Sequence, residues 1–309
     1  MTIGVSIILA TYNRAHLILE TLESIQNQTY RDWECLIIDD GATDDTQEVL
    51  APILERDTRF QFLKRPNTYL KGLPGCRNFG LDLAKGAYIL FFDDDDVVHP
   101  QNLELALQGI ELNSSDFCLY QKQSFEEKQE FVFDNEVLRP NFQIDQKDIE
   151  RIITNNIPMA SCTVLWRKKS LSNQRFNEQL LYAEEWEFYT RLVASGLKGI
   201  AIDNILYFNR KHPQSNTGEF YTKDPVRRAS KKVAIELMVQ NLHKQGLLSR
   251  SILRYLIQLS LGFRDFNLFD RILFLAELTT FERYKWVVFY HTLPIRLGVI
   301  RLKKAVFND

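Results

Sequence analysis

Between residues 5 and 110 the chain alternates two hydrophobic rhythms. Short apolar runs, VSIILA (5–10), WECLIID (33–39), FQFLKR (60–65) and AYILFFD (87–93), are each followed by a stretch whose apolar residues recur every three or four positions. Runs of that length, bounded by polar residues, predict buried strands; Leu17, Ile18, Thr21, Leu22 and Ile25 share the spacing of one helix face. TQEVLAPIL, CRNFGLDLAKG and PQNLELALQGIEL predict three further helices, with Asp44 and Asp45 placed for a turn and N-cap and Pro100 at a first helical turn. Strands alternating with helices at these lengths predict an α/β fold, a mostly parallel sheet covered on both faces.

Ligands of such sheets sit beyond the carboxyl ends of the strands. The first strand ends in Ala10-Thr11-Tyr12-Asn13, the second in Asp39-Asp40-Gly41, and the fourth in four consecutive aspartates, Asp93 to Asp96. All three polar clusters are therefore expected on one sheet edge. The middle of the chain is less regular. DFCLYQKQSF (116–125) and EFVF (130–133) could pair as strands, ASCTVLWRK (160–168) is another strand, EEWEFYTRLVAS a helix, and GIAIDNILYFNR a final strand. From about residue 225 the pattern is helical throughout.

Composition changes this picture little. The 309 residues are 45% hydrophobic and 25% charged, as in a globular protein with a sizeable core, and a net charge of −2 gives no reason to expect nucleic acid as a partner. The four cysteines, Cys35, Cys76, Cys118 and Cys162, show no metal-ligand spacing and read as free thiols in a reducing compartment. The first residues lack a basic leader and turn polar within ten positions, and no apolar run approaches the roughly 20 residues that cross a bilayer. A cytoplasmic protein is expected, peripheral on the membrane if the basic, aromatic C-terminal region binds there.

Candidate chemistry begins with the aspartates. One of them, Asp96, could cap the helix near Pro100, but four in a row after ILFF repel one another unless a cation neutralises them. Hard Mg²⁺ or Mn²⁺ prefers such oxygen ligands and shares them with phosphate. Tyr12 could stack on a nucleobase and Asp40 accept its N–H. Neither a GxGxxG nor a GxxxxGK[ST] phosphate loop occurs. Glu184 and Glu185 open a helix, where they suit its dipole, or one of them serves as a general base.

In order and spacing, SIILATYNR, CLIIDDGATDDT, GCRNFGLDLAKGAYILFFDDDDVVHP and YAEEWEF resemble the motif series of family 2 glycosyltransferases with the GT-A fold, over about residues 3–215. The resemblance implies an inverting, metal-dependent transfer of a hexosyl or N-acetylhexosaminyl group. The donor would be a nucleotide-diphosphate sugar, by family weight a UDP-sugar, and the acceptor a glycan or lipid-linked hydroxyl in surface polysaccharide synthesis. It implies a catalytic domain over 1–220, with a nucleotide-sugar half to about 115 and an acceptor and base half after it, and a helical region over 221–309. Thr11, Tyr12, Asn13, Asp39 and Asp40 would hold the nucleoside. Asp95 and Asp93 would bind the metal, with Asp94 facing the donor sugar or ribose. Arg77 and Asn78 match an RN pair that braces the nucleotide loop or the phosphates. Glu185, or its neighbour Glu184, stands where the family's catalytic base is an aspartate. Arg210 and His212 lie in a loop that closes over the diphosphate. A sugar-1-phosphate nucleotidyltransferase would need glycines after the first strand, which ATYNRAHL lacks; a silent sugar-nucleotide or polysaccharide-binding protein would have little use for both the acidic run and the Glu pair.

Overall fold

A computed structural model of the chain describes residues 4–126, 131–211 and 216–292. Two compact units divide it, Met1–Ala234 and Ile235–Asp309.

In the first unit, β1 (Val5–Thr11), β2 (Trp33–Asp39), β3 (Phe60–Lys64) and β4 (Tyr88–Phe92) form a parallel ladder in the order β3-β2-β1-β4. Between them run α1 (Ile18–Gln26), α2 (Thr46–Arg56) and α3 (Leu73–Leu83), as the two rhythms predict. Alternation along β1 divides the packing. Val5, Ile7 and Leu9 join Ile18, Leu22 and Ile25 of α1 and Leu50 of α2 in one core. On the other face Ile8 meets α3 at Gly80, where an added Cβ would come within 2.4 Å of its side chain. The strands end in step, Thr11 beside Asp39 and Leu9 beside Phe92, so the three polar clusters do share an edge.

The sheet continues through β5 (Val97–Val98), β6 (Phe117–Phe125), β8 (Val164–Arg167) and β9 (Gly199–Arg210), in the order β4-β8-β6-β9-β5. Here β4–β8, β6–β8 and β5–β9 are antiparallel and only β6–β9 is parallel. β7 (Pro140–Ile144), absent from the sequence reading, adds an edge to β9, with four of its five residues at least partly exposed. Phe131 to Phe133 form no strand with β6; Phe131 and Phe133 instead pack their rings against Phe208, and Phe131 also against Phe125. α4 (Asn102–Asn113) starts two residues after Pro100, and α6 (Glu184–Ala194) packs on the short α5 (Ile149–Ile153). Asp44, rather than Asp45, caps α2, accepting from the Thr46 amide at 3.2 Å and also from Ala15 N at 3.1 Å. All four cysteines are buried free thiols.

Helix begins earlier than expected, with α7 (Asn216–Tyr221) before α8 (Pro225–Lys244). In the second unit α9 (Arg250–Phe263) and α10 (Phe266–Leu275) are capped by Ser249 and Asp265, whose side chains accept from the amides of Ile252 and Leu268. Residues 280–292 are helical, and Tyr290 packs on Phe266 and Phe269. Among the described residues no helix is long and apolar enough to cross a membrane.

The turn into β4 depends on Gly86, whose amide donates to Ser6 Oγ at 2.8 Å. A Cβ there would lie 2.4 Å from Ser6 N and 2.7 Å from the Val5 carbonyl carbon, both rigid backbone. Gly86→Ala should therefore cost about 1–3 kcal/mol of stability, seen as a lower urea midpoint; an unchanged midpoint would show that the turn can shift.

Candidate active site

The site grows from the ends of β1, β2 and β4. At the β2 end Asp39 folds its carboxylate back onto its own loop, accepting from Gly41 N at 3.1 Å and Ala42 N at 2.7 Å. Asp40 accepts from Arg65 Nε at 2.6 Å and from Gly72 N at 3.0 Å, which anchors the loop before α3. That loop reaches over Tyr12, placing Lys71 Nζ 4.2 Å from the ring centroid, and leaves Tyr12 43% exposed. Asn13, with φ 55°, accepts from Thr43 N at 2.8 Å and joins the β1 and β2 loops. Thr11 is buried and its Oγ1 forms no hydrogen bond of ordinary geometry, although it lies close enough to Asp94 to favour that carboxylate's charge. Together these residues make an open aromatic ring beside an acidic edge, all within the nucleoside set expected from sequence.

Arg77 projects from α3 into the protein and is 3% exposed. Its guanidinium donates to Glu184 Oε1 at 2.9 Å and Ser161 Oγ at 2.9 Å, and reaches Asp93 Oδ1 at 3.4 Å. Asn78, one residue on, points elsewhere: it exchanges hydrogen bonds with the Phe176 backbone and donates to Glu178, whose other oxygen accepts from Leu70 N. Arg77 thus joins the two acidic clusters, while Asn78 braces the segment that carries the nucleotide-side loop.

The four aspartates are not equivalent. Asp94 is buried, with Arg14 Nε 3.7 Å away, and desolvation pushes its carboxyl up to about 7. Burial also raises Asp93, against the pull of Arg77, and the charges of Asp95 and Glu185 add to the rise. The Asp93 side chain keeps 37% of its surface open, so this is the desolvation of a deep cleft rather than of a core. Asp96 is buried and raised by desolvation and by Asp93 and Asp95. It does not start α4: its Oδ1 accepts from Arg210 N at 2.7 Å, turning it inward, away from the helix N-terminus six residues on. Asp93, Asp96 and Cys162 bring one ligand atom each within 4.8 Å of one another. Hard carboxylate oxygens forced together in this way fit a divalent cation. Burial pushes the Cys162 thiol up, and a soft sulfur is a poor match for hard Mg²⁺ or Mn²⁺ beside these carboxylates.

Glu184 is buried on Arg77, and burial raises its carboxyl despite that partner. Glu185 is half-buried, with Oε2 accepting from Ser161 N at 3.1 Å. Arg210 turns its guanidinium to Glu20 at 2.5 Å and to the Asp95 carbonyl at 2.9 Å, under the ring of Phe125. His212 lies outside the described residues. Sequence reasoning missed Ser161, which touches both Arg77 and Glu185, and Tyr207, whose hydroxyl accepts from Asp93 N at 3.2 Å. It also missed Lys122 on β6, whose ammonium is held charged by the carboxylates Glu185, Asp93 and Asp96 against the cost of desolvation. Neither Ser161 nor Lys122 stands in a recognisable motif.

The α/β sheet, with its acidic clusters at the strand ends, defines the GT-A class. The crystal structure of Staphylococcus aureus TarS 1–349 in complex with UDP matches with a TM-score of 0.64 at 19% identity, over 92% of this chain and 78% of that one, a likeness of fold. The profile of glycosyl transferase family 2 matches residues 6–176, more than half the chain, and the protein belongs to that family. A GalNAc(5)-diNAcBac-PP-undecaprenol beta-1,3-glucosyltransferase of Campylobacter jejuni is 30% identical over 190 residues, 60% of this chain and 59% of the relative. The UDP-Glc:alpha-D-GlcNAc-diphosphoundecaprenol beta-1,3-glucosyltransferase WfaP of Escherichia coli is 47% identical over 92 residues, 30% of this chain and 35% of the relative. The chain spans between about a fifth and three fifths of the length of the first curated relatives it matches.

The raised Asp94 carboxyl links stability to pH. An unfolded aspartate ionises near about 4, so between there and about 7 the unfolded chain has released a proton that the folded one retains. Stability then falls as pH rises through that window. Asp94→Asn removes the titration. In metal-free buffer its urea midpoint should gain on the native one from about pH 4 to about pH 8, and a pH-independent difference would contradict the assignment.

Proposed function

We propose that the protein transfers a sugar from a nucleotide-diphosphate donor, a UDP-sugar, to a hydroxyl of a lipid-linked glycan acceptor, with inversion at the anomeric carbon. The observation that carries this reading is the Arg77 bridge, which holds a half-buried glutamate and a strand-end acidic run in one cleft. The named specificities of the two curated relatives support a sugar-diphosphate-lipid acceptor, and the UDP complex of the TarS structure supports the base.

The nucleoside lies against Tyr12, with Thr11, Asn13 and the Asp39–Asp40 turn around it, and Asp94 faces the ribose or donor sugar. Asp93 and Asp95 would hold Mg²⁺ or Mn²⁺, which when bound offsets the negative charge of the diphosphate leaving group. Glu185 is the general base. Glu184 is unsuited to that role because Arg77 occupies its Oε1 and it is buried, whereas Glu185 is anchored through only one oxygen, by Ser161 N. Glu185 takes the proton of the acceptor hydroxyl as that oxygen bonds to the anomeric carbon and the bond to the diphosphate breaks. The nucleoside diphosphate leaves from the opposite face.

Glu185→Gln keeps the shape and removes the base, so transfer should slow by about 10²–10⁴-fold while UDP affinity in calorimetry is retained. A near-native rate would remove Glu185 from the chemistry.

Peripheral membrane contact through the second unit belongs to the same reading. Phe281, Tyr284 and Val288 repeat on one helix face and are 66%, 65% and 41% exposed, with Phe274 68% exposed in α10. Lys285 Nζ sits 4.0 Å from the Phe281 ring, and the chain continues into a basic stretch that includes Arg296, Arg301, Lys303 and Lys304. Such a face suits an anionic bilayer surface. Tyr290, tucked onto Phe266 and Phe269, contributes to packing instead. Phe281→Ser with Tyr284→Ser should reduce co-sedimentation with phosphatidylglycerol vesicles; pelleting equal to the native protein would exclude this face.

A further inference from the structure

β6 changes character midway: Phe117 to Tyr120 are buried, and Gln121 to Ser124 are exposed. Side chains two apart on a strand share a face, so Lys122 follows Tyr120. The Tyr120 hydroxyl donates to the Cys162 carbonyl at 2.7 Å, which aims that face of β6 at the acidic cluster. One pleat further, about 7 Å along the strand, Lys122 stands beyond Cys162. The ladder with β9 slips between Leu119 and Lys122, bringing Lys122 opposite Tyr207, whose hydroxyl accepts from Asp93 N. Slips of this kind re-aim side chains at the rims of sites.

The arginines around the cleft have partners, and Lys71 lies over the Tyr12 ring on the nucleoside side. Arg77 is held by Glu184, Ser161 and Asp93, Arg210 by Glu20 and the Asp95 carbonyl, Arg65 by Asp40, and Arg14 faces Asp94. Among the described residues the Lys122 side chain makes no hydrogen bond and no close ion pair; it is open to solvent along its length, and the carboxylates of Glu185, Asp93 and Asp96 act on its ammonium from across the cleft. It is a flexible point charge, the kind that follows a phosphate, on a strand that β4 and β8 separate from the β1–β2 edge where the nucleoside would lie, and Glu185 is among the charges that act on it.

We infer that Lys122 binds a diphosphate carried by the acceptor, next to the hydroxyl that Glu185 deprotonates. This rests on the transfer reading above. In an acceptor whose reacting sugar itself bears the lipid diphosphate, one pyranose ring separates that group from the attacking hydroxyl. A cation beside the base therefore recognises the lipid-diphosphate linkage and sets the register of the ring, so that the correct hydroxyl meets Glu185. A neutral glycoside gains nothing from Lys122.

The test titrates geranyl diphosphate, a lipid diphosphate without sugar, into the native protein, Lys122→Met and Lys122→Arg, with UDP affinity measured on the same three. Lys122→Met should bind geranyl diphosphate at least about tenfold more weakly, the loss of one charge-assisted hydrogen bond. Lys122→Arg, which keeps the charge, should stay close to native, and UDP affinity should hold in all three. Equal geranyl diphosphate affinity in native and Lys122→Met protein would overturn the inference. So would a loss confined to UDP, which would give Lys122 to the donor. Release of UDP from a UDP-sugar by the native protein tests the transfer reading separately, so the two can fail independently.

Discussion

The buried guanidinium of Arg77 is the interaction on which the site depends. It comes from α3, on one face of the sheet, and contacts the start of α6, the turn at Ser161 and the end of β4. Removing one partner of such a buried pair leaves an uncompensated charge, typically a loss of about 3–5 kcal/mol. Glu184 is therefore best understood as the counter-ion that keeps Arg77 in place. Its neighbour Glu185 gains a fixed position without being tied to the arginine, because Ser161 serves both, taking Arg77 on its hydroxyl and Glu185 on its amide.

The same logic separates the aspartates. Four carboxylates in one cleft cannot all keep their charge without counter-charges. The fold supplies Arg77 near Asp93, Arg14 near Asp94 and the Arg210 amide on Asp96. What these leave uncompensated shows in the raised carboxyls of Asp93, Asp94 and Asp96, the electrostatic condition under which a divalent cation and a diphosphate bind together most favourably. Asp96 joins the β4 loop to β9 through the Arg210 amide, and its proximity to Asp93 shapes the cleft.

On the nucleotide side the acidic residues act first on backbone. Asp39 closes its own turn, and Asp40 ties Arg65 and Gly72 together. The Glu178 brackets of Asn78 and Leu70 then hold the same loop from the other side. A loop pinned at both ends is a preorganised shelf, which lowers the ordering cost of binding a nucleoside against Tyr12.

By itself, the sequence determined the parallel half of the sheet. Its central strands β1 and β2 are short runs buried on both faces and its helices carry clear stripes, so local periodicity and burial agree. The common edge of Thr11, Asp39 and Asp93 followed from that, because parallel strands linked by helices end on one side. Shared motifs then marked Arg77, Glu184 and Glu185 for chemistry. Tertiary structure alone decided what each does. β7 is an exposed edge with no stripe to announce it, and the antiparallel pairing of β6 and β8 joins segments more than forty residues apart. Asp96 looked like a helix cap because its nearest helix in sequence is α4, yet its partner is Arg210, 114 residues away. Ser161 and Lys122 carry no motif, since their importance lies in which carboxylates the fold sets beside them. Periodicity records what a segment buries; it cannot record which distant charge that segment will meet.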